Sequence, residues 1–395
     1  MAGRIIIFTG KGGVGKTSVA AAHALKSAKE GKRTLLVSTD MAHNLSDLFE
    51  QKLENEPVEV QKHLEVYEID PAYVMEHDFA NIMSSIAKML PAEMSASGAE
   101  EYGMFPGMEE LFSLLYISKM YETGRYERII VDCAPTGETL SLLKFPELLS
   151  WYMEKLFPIG KVAVRVLAPV AKHMYKMELP DKTAMNDIQK LYVQLIGLQD
   201  LLKDREITSV RLVTVPEKMI VEETKRNYMY MNLYNFNVDG LYINRVLPKE
   251  VENPFFDEWK QIQQKYVSEL QDNFSMLPIC YIPWYDEEVH GVGAVDRISK
   301  ECLTSADLFE PKVITERETY EQNEKGYLLR VSIPGADKSE VDLYQSGTDV
   351  VIKLGNFKRN VSLPNVLRTY EITGAKMVEG RLNIQFEHGE TESTD

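Results

Sequence analysis

A glycine-rich segment close to the N-terminus has the residue types and spacing needed to hold phosphate groups. It comprises Gly10, Lys11, Gly12, Gly13, Val14, Gly15, Lys16, Thr17 and Ser18, and it satisfies the pattern GxxxxGK[ST]. Glycines let successive backbone N–H groups curve around phosphate oxygens, and a helix that begins there adds the positive end of its dipole. Lys16 is expected to reach the β- and γ-phosphates, and the Thr17 hydroxyl is expected to ligate Mg²⁺. The pattern predicts a nucleoside triphosphate site, with a purely structural glycine turn as the alternative.

The elements on either side of this loop are the ones that a phosphate-binding loop requires. Arg4 to Thr9 is short, apolar and β-branched, which predicts a strand, and the alanine-rich segment from Ser18 to Glu30 predicts a helix. The order strand, glycine loop and helix makes a chance match to the pattern much less probable.

An acidic residue follows each of two further predicted strands. Asp40 comes after the strand Arg33 to Ser38, and Asp132 comes after the strand Tyr126 to Val131. In phosphate-loop enzymes an acid that follows a hydrophobic strand holds Mg²⁺ through water. We therefore predict that Asp132 completes the metal site with Thr17.

The segments around these residues resemble those of one family. The loop KGGVGKT, with a lysine at position 11, resembles the signature-lysine ATPases. Residues 39–47, TDMAHNLSD, resemble the first switch of the ArsA-like ATPases, DPAHSLSD, with Met41 for Pro and Asn44 for Ser. Residues 132–140, DCAPTGETL, resemble the second switch, DTAPTGHT, with Cys133 for Thr and Glu138 for His. Members include the arsenite-pump ATPase and the eukaryotic ATPase that targets tail-anchored membrane proteins.

The resemblance implies roles for individual residues. The matching aspartate polarises the attacking water, which assigns that role to Asp40, while His43 and Asp47 are as well explained by ordering of the loop. The matching lysine crosses a dimer interface to the partner's nucleotide, so Lys11 implies a homodimer that closes on ATP; a solvated loop lysine is the alternative. Asn244 matches the asparagine that recognises adenine. Pro283 lies in a segment that resembles the loop over the base, where Trp284 either stacks near the ring or belongs to the core.

Two helical segments, about 71–122 and 145–204, exceed what a minimal phosphate-loop sheet needs. Eleven of the eighteen methionines fall between Met75 and Met185. Methionine-rich helices suit the binding of varied apolar partners, and in the targeting ATPase this region forms a groove for a client's transmembrane helix. An ordinary core filled by methionine is the alternative.

The preferred function is Mg²⁺-dependent ATP hydrolysis coupled to binding or targeting of hydrophobic protein segments. The alternatives are the ATPase subunit of an arsenite or antimonite pump and a slow, ATP-regulated chaperone.

Charge and cysteine content exclude several other functions. With 44 Lys and Arg against 60 Asp and Glu, the net charge of −16 argues against nucleic acid or an anionic membrane as partner. The three cysteines are far apart, so no thiolate cluster for a metalloid and no zinc are expected. The chain shows no signal peptide and no membrane-spanning segment, which predicts a soluble cytoplasmic protein.

Near residue 311 the pattern changes to short alternating strands separated by Gly, Pro, Asn and Asp. The elements Ser362-Leu363-Pro364 and Gly380-Arg381-Leu382 resemble those of the α-crystallin, or small heat-shock-protein, domain. We predict an α/β phosphate-loop ATPase domain with a mostly parallel sheet over residues 1–310, an α-crystallin-like β-sandwich over 311–388, and an acidic tail over 389–395. The β-sandwich either supplements the client surface or is a passive structural domain.

Overall fold

The computed structural model describes residues 3–40, 44–81, 108–134, 182–312, 318–346, 349–367 and 369–388. In chain order the elements up to residue 214 are β1 Arg4–Thr9, α1 Lys16–Lys29, β2 Thr34–Ser38, α2 Asn44–Phe49, β3 Val58–Gln61, β4 Leu64–Glu68, α3 Pro71–Asp78, α4 Met108–Glu122, β5 Arg128–Asp132, α5 Lys182–Lys203 and β6 Thr208–Thr214. These are followed by α6 Lys218–Leu233, β7 Val238–Val246, α7 Pro254–Asn273, β8 Ile279–Pro283 and α8 Gly291–Cys302.

One sheet contains eight strands in the order β3-β4-β2-β5-β1-β6-β7-β8. β4, β2, β5 and β1 pair in parallel, as do β6, β7 and β8, while β3 is antiparallel at one edge. Strands β1, β2 and β5 are buried almost throughout, as apolar strands covered on both faces should be. The predicted mostly parallel α/β sheet is therefore confirmed.

The chain divides into two compact units, and the division falls within β6. The first unit comprises Met1–Ser209 with Tyr285–Glu310. Its core is built on α1, whose alanines are buried and whose small side chains allow the helix to lie close against the sheet. His23 of α1 is also buried, with its ring 4.7 Å from that of Phe8 and its Nδ1 2.7 Å from the Val19 carbonyl oxygen.

The second unit comprises Val210–Trp284 with Pro311–Asp395. A buried ion pair joins β6 to β7, since Arg211 Nε lies 3.1 Å from Asp239 Oδ1. Arg211 also donates to the Tyr242 hydroxyl over 3.2 Å. Helix α7 begins at Pro254, preceded by Asn253, whose side chain accepts from the Phe255 N–H and caps the helix.

The described residues from 318 to 388 form β-strands and two short 3₁₀ turns. The strands are β9 Glu318–Asn323, β10 Gly326–Ser332, β11 Val341–Ser346, β12 Asp349–Leu354, β13 Phe357–Ser362, β14 Tyr370–Val378 and β15 Arg381–His388. They form two antiparallel sheets, β14-β15-β10-β9 and β11-β12-β13. Inward-facing residues such as Leu329 and Ile384 are fully buried, and the predicted C-terminal β-sandwich is confirmed.

Strand β13 is fastened to the end of α6. The buried guanidinium of Arg359 donates to the Leu233 carbonyl over 2.6 Å and pairs with the Glu318 carboxylate. Its positive charge thereby meets the negative end of the α6 dipole. The Tyr234 hydroxyl also donates to the Lys358 carbonyl over 2.9 Å.

The methionine-rich helical insert is described only in part. Helices α3, α4 and α5 lie within the two predicted helical segments, whereas residues 82–107 and 135–181 are outside the described residues. The predicted client groove therefore stays a prediction. The acidic tail at 389–395 is likewise outside the described residues. Among the described helices, none is both long enough and apolar enough to cross a membrane.

Candidate nucleotide site

The glycine loop joins the end of β1 to the start of α1 in a conformation that its glycines make available. Gly13 has φ 79°, and Gly15, immediately before α1, has φ 91° and ψ 30°. Both angles lie in the left-handed region, where a side chain would be strained. Val14 between them is fully buried and anchors the loop to the core. The backbone N–H groups at the start of α1 are thus presented where a phosphate could accept from them.

Lys16 is the first residue of α1, and its side chain is largely buried. Its ammonium group donates to the backbone carbonyl of Lys11 over 3.4 Å. The Lys16 side chain therefore folds back over the glycine loop. Thr17 and Ser18 occupy the first turn of α1 and are partly exposed. The structure therefore brings the predicted phosphate-binding residues together around one helix N-terminus.

Strand register places Asp132 beside this loop. Asp132, the last residue of β5, stands opposite Phe8 of β1 on one side and Ser38 of β2 on the other. Its carbonyl accepts from the Thr39 N–H over 3.0 Å, and the following Cys133 N–H donates to the Phe8 carbonyl over 3.1 Å. Neighbouring parallel strands end at the same edge of a sheet. The glycine loop, Asp40 and Asp132 therefore all lie at the carboxyl edge of β1, β2 and β5.

Asp132 is 1% exposed, and neither of its carboxylate oxygens has a hydrogen-bond partner among the described residues. Burial raises the pKa of Asp132 to about 7. The Thr17 hydroxyl, although outside hydrogen-bonding geometry, and the Lys16 ammonium oppose that rise, whereas the carboxylates of Asp40 and Glu68 add to it. A buried acid without donors is a costly arrangement in the absence of a cation, and such perturbed groups mark functional sites.

These residues fit a nucleotide with Mg²⁺. Two unpartnered carboxylate oxygens of Asp132 face the side of the loop that carries the Thr17 hydroxyl, and hard cations take oxygen ligands of this kind. No cluster of three His, Cys, Asp or Glu suited to a metal occurs within the described residues. Mg²⁺ at a nucleotide takes most of its ligands from phosphate and water, so one hydroxyl and one carboxylate from the protein are enough to hold it.

Asp40 follows β2 and is held by two local hydrogen bonds. Its N–H donates to Ser38 Oγ over 3.1 Å, and its Oδ2 accepts from Asn44 Nδ2 over 3.2 Å. Asn44 stands where the family motif has serine, and its amide ties Asp40 to the first residue of α2. Asp40 is partly exposed, so water has access to it. Met41 and His43 of the same motif are outside the described residues.

Glu68 is a residue of this site that the sequence did not indicate. It ends β4 opposite Ser38, it is buried, and its Oε1 accepts from the N–H groups of Leu45 and Ser46 over 2.8 and 3.2 Å. Its Oε2 accepts from the Ser46 hydroxyl over 2.6 Å. The carboxylate therefore caps the start of α2 and fixes the helix that follows Asp40. The signal in the sequence that could have indicated Glu68 is an acidic residue directly after the apolar residues Val66 and Tyr67.

Asn244 and Pro283 lie in the second unit, near the carboxyl ends of β7 and β8. The ladder between these strands shifts register between Ile243 and Val246, and Arg245 has the positive φ of 54°. Asn244 sits in this irregularity, with its Oδ1 accepting from the Arg245 N–H over 2.9 Å. A bulge of this kind re-aims a side chain out of the strand pattern. Pro283 pairs with Val246, and the next residue, Trp284, is 51% exposed, which excludes the core alternative for its indole. The adenine-binding role of Asn244 and Pro283 stays a prediction.

Of the second switch, Asp132, Cys133 and Ala134 are described, and residues 135–140 are outside the described residues. Cys133 is buried, and all three cysteines of the chain are free thiols. A contact between the switch and a nucleotide that depends on Glu138 is therefore not defined by the structure.

A parallel sheet with a glycine loop after β1, and an acid after each of two neighbouring strands, defines a phosphate-loop nucleoside triphosphatase. The chain belongs to the ArsA family of ATPases: residues 3–304 match the family model described as Anion-transporting ATPase. Residues 324–386 match a second model, described as an HSP20-like domain found in ArsA. The family resemblance seen in the sequence is thus confirmed.

Similar proteins carry names from two branches of the family. The chain is 34% identical to the "Putative arsenical pump-driving ATPase 1" of Aquifex aeolicus (strain VF5), over 96% of this chain and 99% of that protein. It is 34% identical to the "Putative arsenical pump-driving ATPase" of Prosthecochloris vibrioformis, over 97% and 96% of the two chains. It is also 29% identical to the "ATPase ASNA1 homolog 1" of Paramecium tetraurelia, over 75% of this chain and 92% of that protein.

Proposed function

We propose that the protein is a Mg²⁺-dependent ATPase that works as a homodimer and couples its nucleotide cycle to the binding of hydrophobic protein segments. The observation that carries the catalytic part is the buried, unpartnered carboxylate of Asp132 beside Lys16 and Thr17. This arrangement is costly without a cation and is explained by one. Membership of an ATPase family supports the hydrolytic activity.

The residues divide the work in the following way. The N–H groups from Gly13 to Ser18 and the Lys16 ammonium bind the phosphates, and Lys16 leaves the Lys11 carbonyl when it does so. Thr17 and Asp132 would hold Mg²⁺, which when bound would neutralise negative charge on the phosphates. Asp40 orients the attacking water and accepts its proton. Lys11 of each copy contributes to the nucleotide of the other, and Asn244 with Pro283 binds adenine.

The catalytic proposal is tested by the steady-state ATPase rate of the purified full chain with Mg²⁺ and with EDTA. The variant Lys16→Ala should lose turnover, and Lys26→Ala, a lysine of the last turn of the same helix, is the matched control. Hydrolysis that survives in EDTA, or equal losses in the two variants, would contradict the assignment.

The hydrophobic-client part is supported by the methionine content between Met75 and Met185 and by the HSP20-like domain that follows the ATPase region. A second candidate, energising an arsenite or antimonite pump, is favoured by the names of the relatives at 34% identity. The three cysteines argue against it, because a metalloid site needs several thiolates together and the chain has no cysteine pair in sequence.

The two candidates are separated by adding ligands to the same ATPase assay. A hydrophobic transmembrane peptide should change the rate or bind in an ATP-dependent manner, while arsenite and antimonite should have no effect. Stimulation by metalloid alone, if alanine substitution of the three cysteines abolishes it, would favour the pump function over the binding of hydrophobic clients.

A further inference from the structure

Helix α2, which follows Asp40, has a carboxylate at each end. Glu68 caps its start, and Glu50 directly follows its last residue. Glu50 has φ 53°, the left-handed conformation that commonly terminates a helix. Its N–H donates back to the Asp47 carbonyl over 3.3 Å, which tightens the last turn. The chain therefore leaves α2 at Glu50.

The Glu50 carboxylate reaches the beginning of α8. Its Oε1 lies 3.3 Å from Nδ1 of His290, and its Oε2 would lie 3.2 Å from a methyl group placed on Gly291, the first residue of α8. Negative charge is favourable at this end of a helix. The side chains of Glu50 and His290 are 64% and 61% exposed. A contact between such exposed groups is weak enough to break and form again in solution.

The segment before α8 is bound to α8 itself. Arg297 donates to the Asp286 carboxylate over 3.0 Å, and its guanidinium lies 4.6 Å from the centre of the Tyr285 ring. The Tyr285 hydroxyl lies 3.5 Å from Sγ of Cys302, the last residue of the helix. Pro283, for which we propose adenine binding, lies only two residues before Tyr285. A change in this segment is therefore communicated to the N-terminus of α8.

We propose that Glu50 is a positioning residue through which occupancy of the adenine end of the nucleotide site adjusts Asp40. A base held at Pro283 favours one conformation of the segment that follows, and the contact of that segment with Glu50 holds α2. Asn44, the first residue of α2, donates to Asp40 Oδ2 over 3.2 Å, so the position of the helix affects the carboxylate. This role rests on the proposed function, because it requires adenine at Pro283 and water at Asp40. Hydrolysis then responds to the base as well as to the phosphates.

The first test is hydrogen exchange of the full chain with saturating Mg²⁺ and either ADP or pyrophosphate, which carries phosphates but no base. ADP should slow exchange in residues 44–49 at least threefold more than pyrophosphate does. In Glu50→Gln this difference should disappear, while the slowing at residues 16–19 of α1 should remain. Glu54→Gln, at an exposed acid of the same connection, is the matched control and should behave as wild type.

Two results would overturn the proposal. One is equal protection of α2 by ADP and pyrophosphate in the wild-type chain. The other is a base-dependent difference that survives in Glu50→Gln.

The partner of Glu50 is tested by a double-mutant cycle. His290→Ala should reproduce the effect of Glu50→Gln on residues 44–49. The double variant should show no larger effect than either single variant, because all three lose the same contact. Additive effects would show that the two residues act separately and would overturn the assignment.

Hydrolysis gives a separate readout. Glu50→Gln should lower kcat for ATP about fivefold while KM stays within twofold, which is the scale of an exposed charge contact. A raised KM with unchanged kcat would place Glu50 in nucleotide binding and overturn its positioning role. A wild-type chain that shows base-dependent protection of α2 but hydrolyses no ATP would count against the proposed function, while the coupling of α2 to the base would stand.

Discussion

At the scale of single residues, the site is organised by two carboxylates in different surroundings. Asp132 is buried without a hydrogen-bond partner among the described residues, while Asp40 is partly exposed and bonded to Asn44. Burial favours the neutral form of the first, and access to water suits the second to act on a nucleophile. The two environments agree with the different roles proposed for the two acids, Asp132 as a metal ligand and Asp40 as the residue that positions water.

Replacing Asp40 tests the second role. Asp40→Asn should leave ATP affinity within about threefold while lowering kcat at least a hundredfold, because an amide keeps the shape but cannot accept the proton. Fluorescent-nucleotide titration and single-turnover hydrolysis measure the two quantities. Loss of binding instead of turnover would assign Asp40 to the nucleotide pocket.

Replacing Asp132 tests the cost of its burial. The rise in pKa from 3.8 to about 7 corresponds to roughly 4 kcal/mol of lost stability when the carboxyl group is ionised. Well below the unfolded pKa of 3.8, the group is protonated in both the folded and the unfolded chain, and no stability is lost. The loss grows as the pH rises from the unfolded pKa of 3.8 to the folded pKa of about 7, and it is complete above the latter.

Asp132→Asn does not titrate, so in EDTA without nucleotide it should be more stable than wild type at pH 8, by up to the same amount. The difference should shrink as the pH is lowered toward 4. Urea unfolding of both proteins at several pH values measures it. A variant that is less stable than wild type at pH 8 would show that the carboxylate has a stabilising partner.

At the scale of elements, Glu68 shows how one side chain couples a strand to a helix. Glu68→Gln should destabilise the chain by about 1–3 kcal/mol, because an amide has one acceptor where the buried carboxylate accepts three hydrogen bonds. ATPase activity should fall with it, since α2 follows Asp40. Urea unfolding and kcat are the measurements. The matched control is Ser46→Ala, which removes only the hydroxyl bond and should cost less.

The elements also show what could be predicted from the sequence. The strand from Arg4 to Thr9, the helix after it and the acid at the end of β5 were predictable, because hydrophobic periodicity and a glycine pattern are local signals. Strands β3 and β4 were not predicted, and Glu68 was missed with them. Its partners, Leu45 and Ser46, are more than twenty residues away, and only tertiary structure brings them together. Arg359 reaching the end of α6 was unpredictable for the same reason.

At the scale of the whole molecule, contacts of β13 hold the HSP20-like domain against α6 within the second unit. Arg359→Met should destabilise the chain by about 3–5 kcal/mol, since it leaves the Glu318 carboxylate and the Leu233 carbonyl without their cation. The β-domain should then be released sooner in limited proteolysis. Lys358→Met is the control, because that neighbouring side chain is exposed and the backbone carbonyl that accepts from Tyr234 is unchanged. Equal proteolysis of both variants would show that other contacts hold the domain.

The strand register that aligns Asp132 with Phe8 and Ser38 limits where residues can be inserted into the chain. Side chains alternate between the two faces of a strand, so one residue inserted between Arg128 and Asp132 would turn the acid to the opposite face. The carboxylate that we propose as the Mg²⁺ ligand would then no longer lie beside Thr17. The number of residues in β5 is therefore constrained by the position of Asp132. Insertions that preserve function are expected in the connections between elements, where they do not change the face of the sheet on which Asp132 lies.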